Sequence, residues 1–207
     1  MKEALRPALV SLLVFTVLCG FIYPFAMDAI AAVLFPHQAT GSLLHDRDGT
    51  LAGSELIGQP FVDPAYFWTR PTAQAGYDAA SSTGTNQGQS GFVDARGDLG
   101  PNPTLVKTAQ DRIKALRAAD PGNTAPVPVD LVTSSASGLD PDISPEAAYY
   151  QVSRVARMRG RPAAEVRALV EEHVEPRTFG VLGEPRVNVL LLNRALDVKL
   201  GPTKPNG

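Results

Sequence analysis

Residues 7–27 contain no charged side chain. As a helix rising 1.5 Å per residue, such a stretch reaches about 31 Å, which matches the hydrocarbon core of a bilayer. Beyond Asp28 the apolar character resumes through Ala29, Ile30, Val33, Leu34 and Phe35, and Pro36 stops it. A transmembrane helix over residues 7–35 is therefore predicted. Pro7 suits a first helical turn, Pro24 predicts a kink near the far end, and Tyr23 fits the headgroup level. Lys2 and Arg6 precede the span and Asp28 is the first charge after it, so the positive-inside rule puts residues 1–6 in the cytoplasm and residues 36–207 outside. A cleaved signal peptide fits less well. The apolar run exceeds a signal core, no small-x-small site follows it, and Phe21, Tyr23 and Phe25 crowd the cut. Leu18 likewise opposes lipoprotein processing at Cys19, which reads as an inert helix residue.

The remaining length suffices for a folded domain with its own core. With 19 basic and 21 acidic residues the net charge is −2, which offers nucleic acid no cationic surplus. The single cysteine excludes an internal disulfide and a thiolate metal cluster. Residues 42–45 and 51–57 flank the turn signal Asp46-Arg47-Asp48-Gly49 and predict a hairpin. Residues 76–102 are rich in Gly, Ser, Asn and Gln and predict a long exposed polar loop. Asn102-Pro103 reads as a cap and first helical position, with Leu105, Val106, Ala109, Ile113 and Leu116 on the inward face. The β-branched character of residues 129–133 predicts a strand, followed by a small-residue loop to Ile143. Ser144-Pro145-Glu146 opens a helix with Ala148, Val152 and Val155 inward, and Gly160 ends it. Pro162 starts a further helix on Val166, Leu169 and Val170, with Glu171 and Glu172 solvated. Residues 185–192 alternate through Val187, Val189 and Leu191 and predict a strand or a strand-to-helix junction before residues 193–200. The fold class is thus a single N-terminal transmembrane helix followed by a mixed α/β extracytoplasmic domain.

No phosphate-binding loop or dinucleotide fingerprint occurs, so autonomous nucleotide chemistry is not expected. His37, His45 and His173 lack the short spacings that place two imidazoles on one metal. Ser134, Ser135 and Ser137 lie near Asp140, but without a nucleophile elbow they read as turn residues. Arg96-Gly97-Asp98 is too short a string to carry an adhesive function. The group Tyr66, Phe67, Trp68 and Arg70 is the candidate interface, because aromatics and arginine anchor interfaces, although they also serve in cores. The residues alone admit a free-standing membrane-anchored envelope enzyme or ligand-binding module.

Four longer strings narrow the choice: GSELIGQPF at 53–61, YFWTRPTA at 66–73, PVPVDLVTSSASGLDPDISPEAA at 126–148 and GEPRVNVLLLNRALD at 183–197. Together with the span they resemble the KdpC family, the C chain of the bacterial potassium-transporting P-type ATPase. The segment 84–103 departs from the family pattern by being longer than its usual Gly-Ser-Asn turn. The resemblance implies a non-catalytic subunit of the bacterial inner membrane. Its implied partners are a KdpA-like potassium-binding subunit, a KdpB-like ATP-hydrolysing subunit and a KdpF-like small membrane peptide. It also implies that this chain binds no cofactor by itself and that ATP enters through the KdpB-like partner, whose nucleotide affinity such subunits are described as raising.

Overall fold

The computed structural model describes residues 2–46, 48–72, 78–82, 92–93, 96 and 99–201. They fall into two compact units, 1–54 and 55–207.

The first unit begins with α1 (Lys2–Val17) and α2 (Tyr23–Leu34), joined without a break by a π-helical turn, Leu18–Ile22. Together, residues Ala4–Leu34 make a helix long and apolar enough to cross a membrane, and none of its assessed window is buried within the chain. The π-turn stands immediately before Pro24, where the kink is expected, and in it the Tyr23 amide donates to the Leu18 carbonyl. Its cause is Pro24, which has no N–H to offer one turn back and whose ring crowds the carbonyl there; widening the preceding turn relieves both. Phe35 leaves the helix, and Pro36 opens the short α3 (Pro36–Ala39). The predicted hairpin follows as β1 (Leu43–His45) and β2 (Leu51–Ser54), antiparallel with a bulge between Leu44 and His45. Gly49 sits at φ 84°, where a side chain would be strained, and closes the turn by donating to the Asp46 carbonyl at 2.9 Å. The second strand is shorter than expected and ends at Ser54.

In the second unit, β3 (Phe92–Val93) and β4 (Leu99–Gly100) pair inside the segment expected to be open loop. Residues 78–82, 96, 101 and 102 lie outside strands and helices, as expected, and the remaining positions, including Tyr77, most of the 84–103 departure and Gly97-Asp98, lie outside the described residues. α4 (Pro103–Ala119) starts as expected, with the Asn102 side chain accepting from the Thr104 amide at 2.9 Å. Of its apolar stripe only Leu116 is fully buried; Leu105 and Ile113 are half-covered and Val106 is exposed.

The strand expected at 129–133 is instead a 3₁₀ turn, Val129–Leu131. Pro128 accepts the turn's bond from Leu131 and supplies no ladder donor, while Val129 stands exposed and Leu131 enters the core. Asp130 is thereby aimed at the Ser144 amide, 2.7 Å away. Ser135 and Ser137 act as turn residues, accepting from the amides of Gly138 and Leu139 at 2.8 and 3.1 Å.

β5 (Asp142–Ile143) leads into α5 (Pro145–Arg159), capped by Ser144 and ended by Gly160 in the left-handed region. α6 (Ala163–Glu172) folds back on α5, burying Val166, Leu169 and Val170 as expected. β6 (Val174–Glu175) and β7 (Arg186–Asn188) complete an antiparallel sheet of order β5-β7-β6. The junction resolves at Asn188: strand geometry ends there, and its side chain accepts from Leu191 at 3.1 Å to start α7 (Val189–Leu200). The core lies where α5, α6, α7 and β7 meet, around Val155, Val166, Val187, Leu192 and Leu196.

Candidate functional site

Residues 58–72 run over this core without joining a sheet. Pro60, Pro64 and Pro71 deny the segment a continuous set of ladder donors, yet its middle is buried, so its peptide groups require side-chain partners. Two helices supply them. Asn193, on α7, accepts from the Phe67 amide at 2.8 Å and donates to the Phe67 carbonyl at 3.0 Å. Gln151, on α5, accepts from the Trp68 amide at 2.8 Å and donates to the Trp68 carbonyl at 3.2 Å. Each carboxamide thus replaces one residue of a neighbouring strand.

Beside Gln151 lies the guanidinium of Arg154, a residue only 2% exposed. It donates to the carbonyls of Pro64 and of Tyr66, the latter at 2.9 Å, and to Gln151 Oε1 at 2.6 Å. It also stacks 4.1 Å from the centre of the Trp68 ring. Burial pulls its pKa down to about 10, partly countered by Asp120, so it stays charged at neutral pH. Carbonyl dipoles and the indole face take the place of an ion-pair partner in contact. Arg159 closes the clasp, donating to the Ala65 carbonyl at 2.7 Å and pairing with Asp197 at 2.8 Å, while the Tyr66 hydroxyl donates to the same carboxylate at 2.9 Å.

The four residues expected to form an interface are therefore sorted by the fold. Phe67 is wholly buried, and its ring is core rather than contact surface. Tyr66 is turned to Asp197. Trp68 and Arg70 remain half-exposed and line one cleft of about 380 Å³ with Phe61, Arg112, Leu116 and Leu131. Arg70 is held there by Asp140 at 2.8 Å. Gly58 lets the segment approach this loop: it donates to the Leu139 carbonyl at 2.8 Å, and a Cβ at its position would lie 2.5 Å from the Asp140 oxygen.

Sequence reading missed Gln151, Arg154, Asn193 and Asp197. The first two carried a signal, since both fall among Ala147, Ala148, Val152 and Val155 on the inward face of α5, where a polar residue requires a partner.

A second electrostatic group surrounds Arg186, which pairs with Asp142 at 3.1 Å and Glu175 at 2.7 Å. Asp142 also receives the repulsion of Asp140 and Glu175. Burial outweighs the Arg186 pair and pushes its carboxyl up to about 6. It forms part of the wall of two clefts, of about 510 and 320 Å³.

The polar clasp orders the chain's own backbone, so the site reads as a rigid scaffold with surfaces to present. Residues 5–198 match the family described as KdpC: K+-transporting ATPase, c chain. A protein of Methylococcus capsulatus is 55% identical over 194 residues, covering 93% of this chain and 96% of the relative. Relatives from Sorangium cellulosum and Variovorax paradoxus are 56% and 54% identical over 200 residues, each covering 95% of this chain and 98% and 97% of the relatives. All three carry the name potassium-transporting ATPase KdpC subunit. A match over residues 5–198, which takes in the apolar helix, the 58–72 segment and the clasp, means that this chain belongs to the KdpC family, a subunit of the K+-transporting ATPase.

Proposed function

We propose that the chain is a non-catalytic accessory subunit of a high-affinity, ATP-driven potassium uptake complex, in which it promotes assembly and caps the ion entrance. The observation that carries this reading is the extent of the family match, which includes both the apolar helix and the globular unit. The partners are a KdpA-like potassium-binding subunit, a KdpB-like ATP-hydrolysing subunit and a KdpF-like membrane peptide. The helix crosses the inner membrane once with its N-terminus in the cytoplasm, a direction supported by Lys2 and Arg6 ahead of the uncharged stretch 7–27 and Asp28 as the first charge after it. The globular unit is then extracytoplasmic, and its rigid clasp suits a lid.

ATP belongs to the KdpB-like partner. In this topology only residues 1–6 and the span reach the nucleotide's side of the membrane, so an effect on ATP affinity passes through packing in the assembled complex. Deleting residues 37–207 tests the proposal. The shortened chain is expected to leave a complex with weakened potassium affinity or impaired assembly. A complex that assembles and takes up potassium with unchanged affinity rules out the capping role.

A further inference from the structure

The connection between β6 and β7, residues 176–185, is a closed turn rather than a slack loop. Thr178 and Leu182 exchange backbone hydrogen bonds at 2.9 and 3.0 Å, and Gly180 donates to the Arg177 carbonyl at 2.9 Å. Arg177 and Glu184 pair across its base at 2.5 Å. This order holds three apolar side chains in solvent: Phe179 is 90% exposed, Val181 73% and Leu182 59%. Phe179 also occupies the left-handed region, φ 54°, next to Gly180 at 76°. An aromatic residue seldom adopts that conformation, and here it adds nothing to the chain's own core. A strained, preorganised aromatic tip flanked by two aliphatic side chains has the form of a binding anchor.

We propose that this tip is a docking knob that inserts Phe179 and Leu182 into an uncharged, apolar recess on another subunit of the transport complex. The inference rests on the accessory-subunit reading above and adds the contact that reading lacks. Charge distinguishes the occupant. Arg177 is matched by Glu184 and residues 176–185 carry no other charge, so the rim of the tip is neutral, while the group at its base, Arg186 with Glu175 and Asp142, holds one carboxylate in excess. A tip seated on anionic lipid would carry surplus Lys or Arg, whereas a neutral rim complements a neutral protein recess. Three side chains make an anchor rather than a whole interface, which buries about 800 Å² on each partner.

The test places the photoreactive residue p-benzoylphenylalanine at position 179 in the intact complex. Irradiation is expected to produce an adduct with another subunit. Adducts with lipid alone, with a second copy of this chain, or none at all overturn the proposal. In parallel, F179S/L182S should leave the complex at least tenfold faster under detergent challenge, with the chain's unfolding midpoint unchanged because both side chains are exposed. A dissociation rate within twofold of wild type overturns the knob while the subunit reading stands. A wild-type chain that copurifies with no other subunit overturns both.

Discussion

In the helix over residues 4–34, Leu12, Leu13, Phe15 and Phe25 all face outward, while in the 55–201 unit Phe67, Leu192 and Leu196 are withdrawn completely and a charged arginine is withdrawn with them. The same residue types serve opposite ends. As the proposed membrane span, the helix turns apolar side chains toward a solvent that is itself apolar, and its backbone satisfies its own hydrogen bonds. Inside, apolar side chains exclude water from a segment whose backbone cannot pair with itself, so side chains from two helices must pair with it. Order in the first region is local, and in the second it is borrowed from residues far along the chain.

The sharpest way to break this contrast is Arg154→Ala. It strips donors from the buried Pro64 and Tyr66 carbonyls and removes the stem that packs against Trp68, and should cost the globular unit about 4 kcal/mol. Chemical denaturation of the full chain in detergent measures this. A loss below about 1 kcal/mol would show that the clasp is incidental to the fold.

Leu18→Arg, at the middle of the helix over residues 4–34, probes the other side. One arginine at the centre of a span disfavours insertion by about 3 kcal/mol, so the membrane-bound fraction should drop while the unfolding midpoint of the globular unit does not move. A shift in that midpoint would mean that the two regions are energetically one.

The smallest expected effect is titration at Asp142. Its folded carboxyl holds a proton up to about pH 6, whereas the unfolded chain releases it near the ordinary carboxylate value of 3.8. The stabilisation is therefore fully present below about pH 4 and is lost as pH rises through 6. With its side chain 24% exposed, the full shift is discounted. Wild-type stability relative to Asp142→Asn should fall by about 2 kcal/mol between pH 4 and pH 7. Parallel stability curves would remove burial as the dominant influence on this carboxyl.

Legibility in the sequence followed the range of the interactions. Helix starts at Asn102, Ser144 and Pro162 were readable because a cap or proline acts within one turn. Residues 129–133 were misread because β-branching only favours a strand when a neighbour is available to pair, and Pro128 with an exposed Val129 leaves none. For Tyr66, Phe67, Trp68 and Arg70, composition marked an anchoring segment but not which side chains face in. Asn193 and Gln151, 126 and 83 residues from their partners, decide that Phe67 is enclosed and that Trp68 lines a cleft.

What the sequence determined by itself is the apolar helix and its far end at Pro36, the caps and the paired helices of the core, since each depends on side chains within a turn or two of one another; the near end lies at Lys2, so Pro7 falls inside the helix and not in its first turn as expected. Only the tertiary structure decided that Arg154 is buried, that Gly58 must be small because Asp140 lies against it, and that Phe179 projects into solvent. Those outcomes depend on which distant surfaces come together. A linear pattern records a residue's chemistry, and burial is a property of its neighbours.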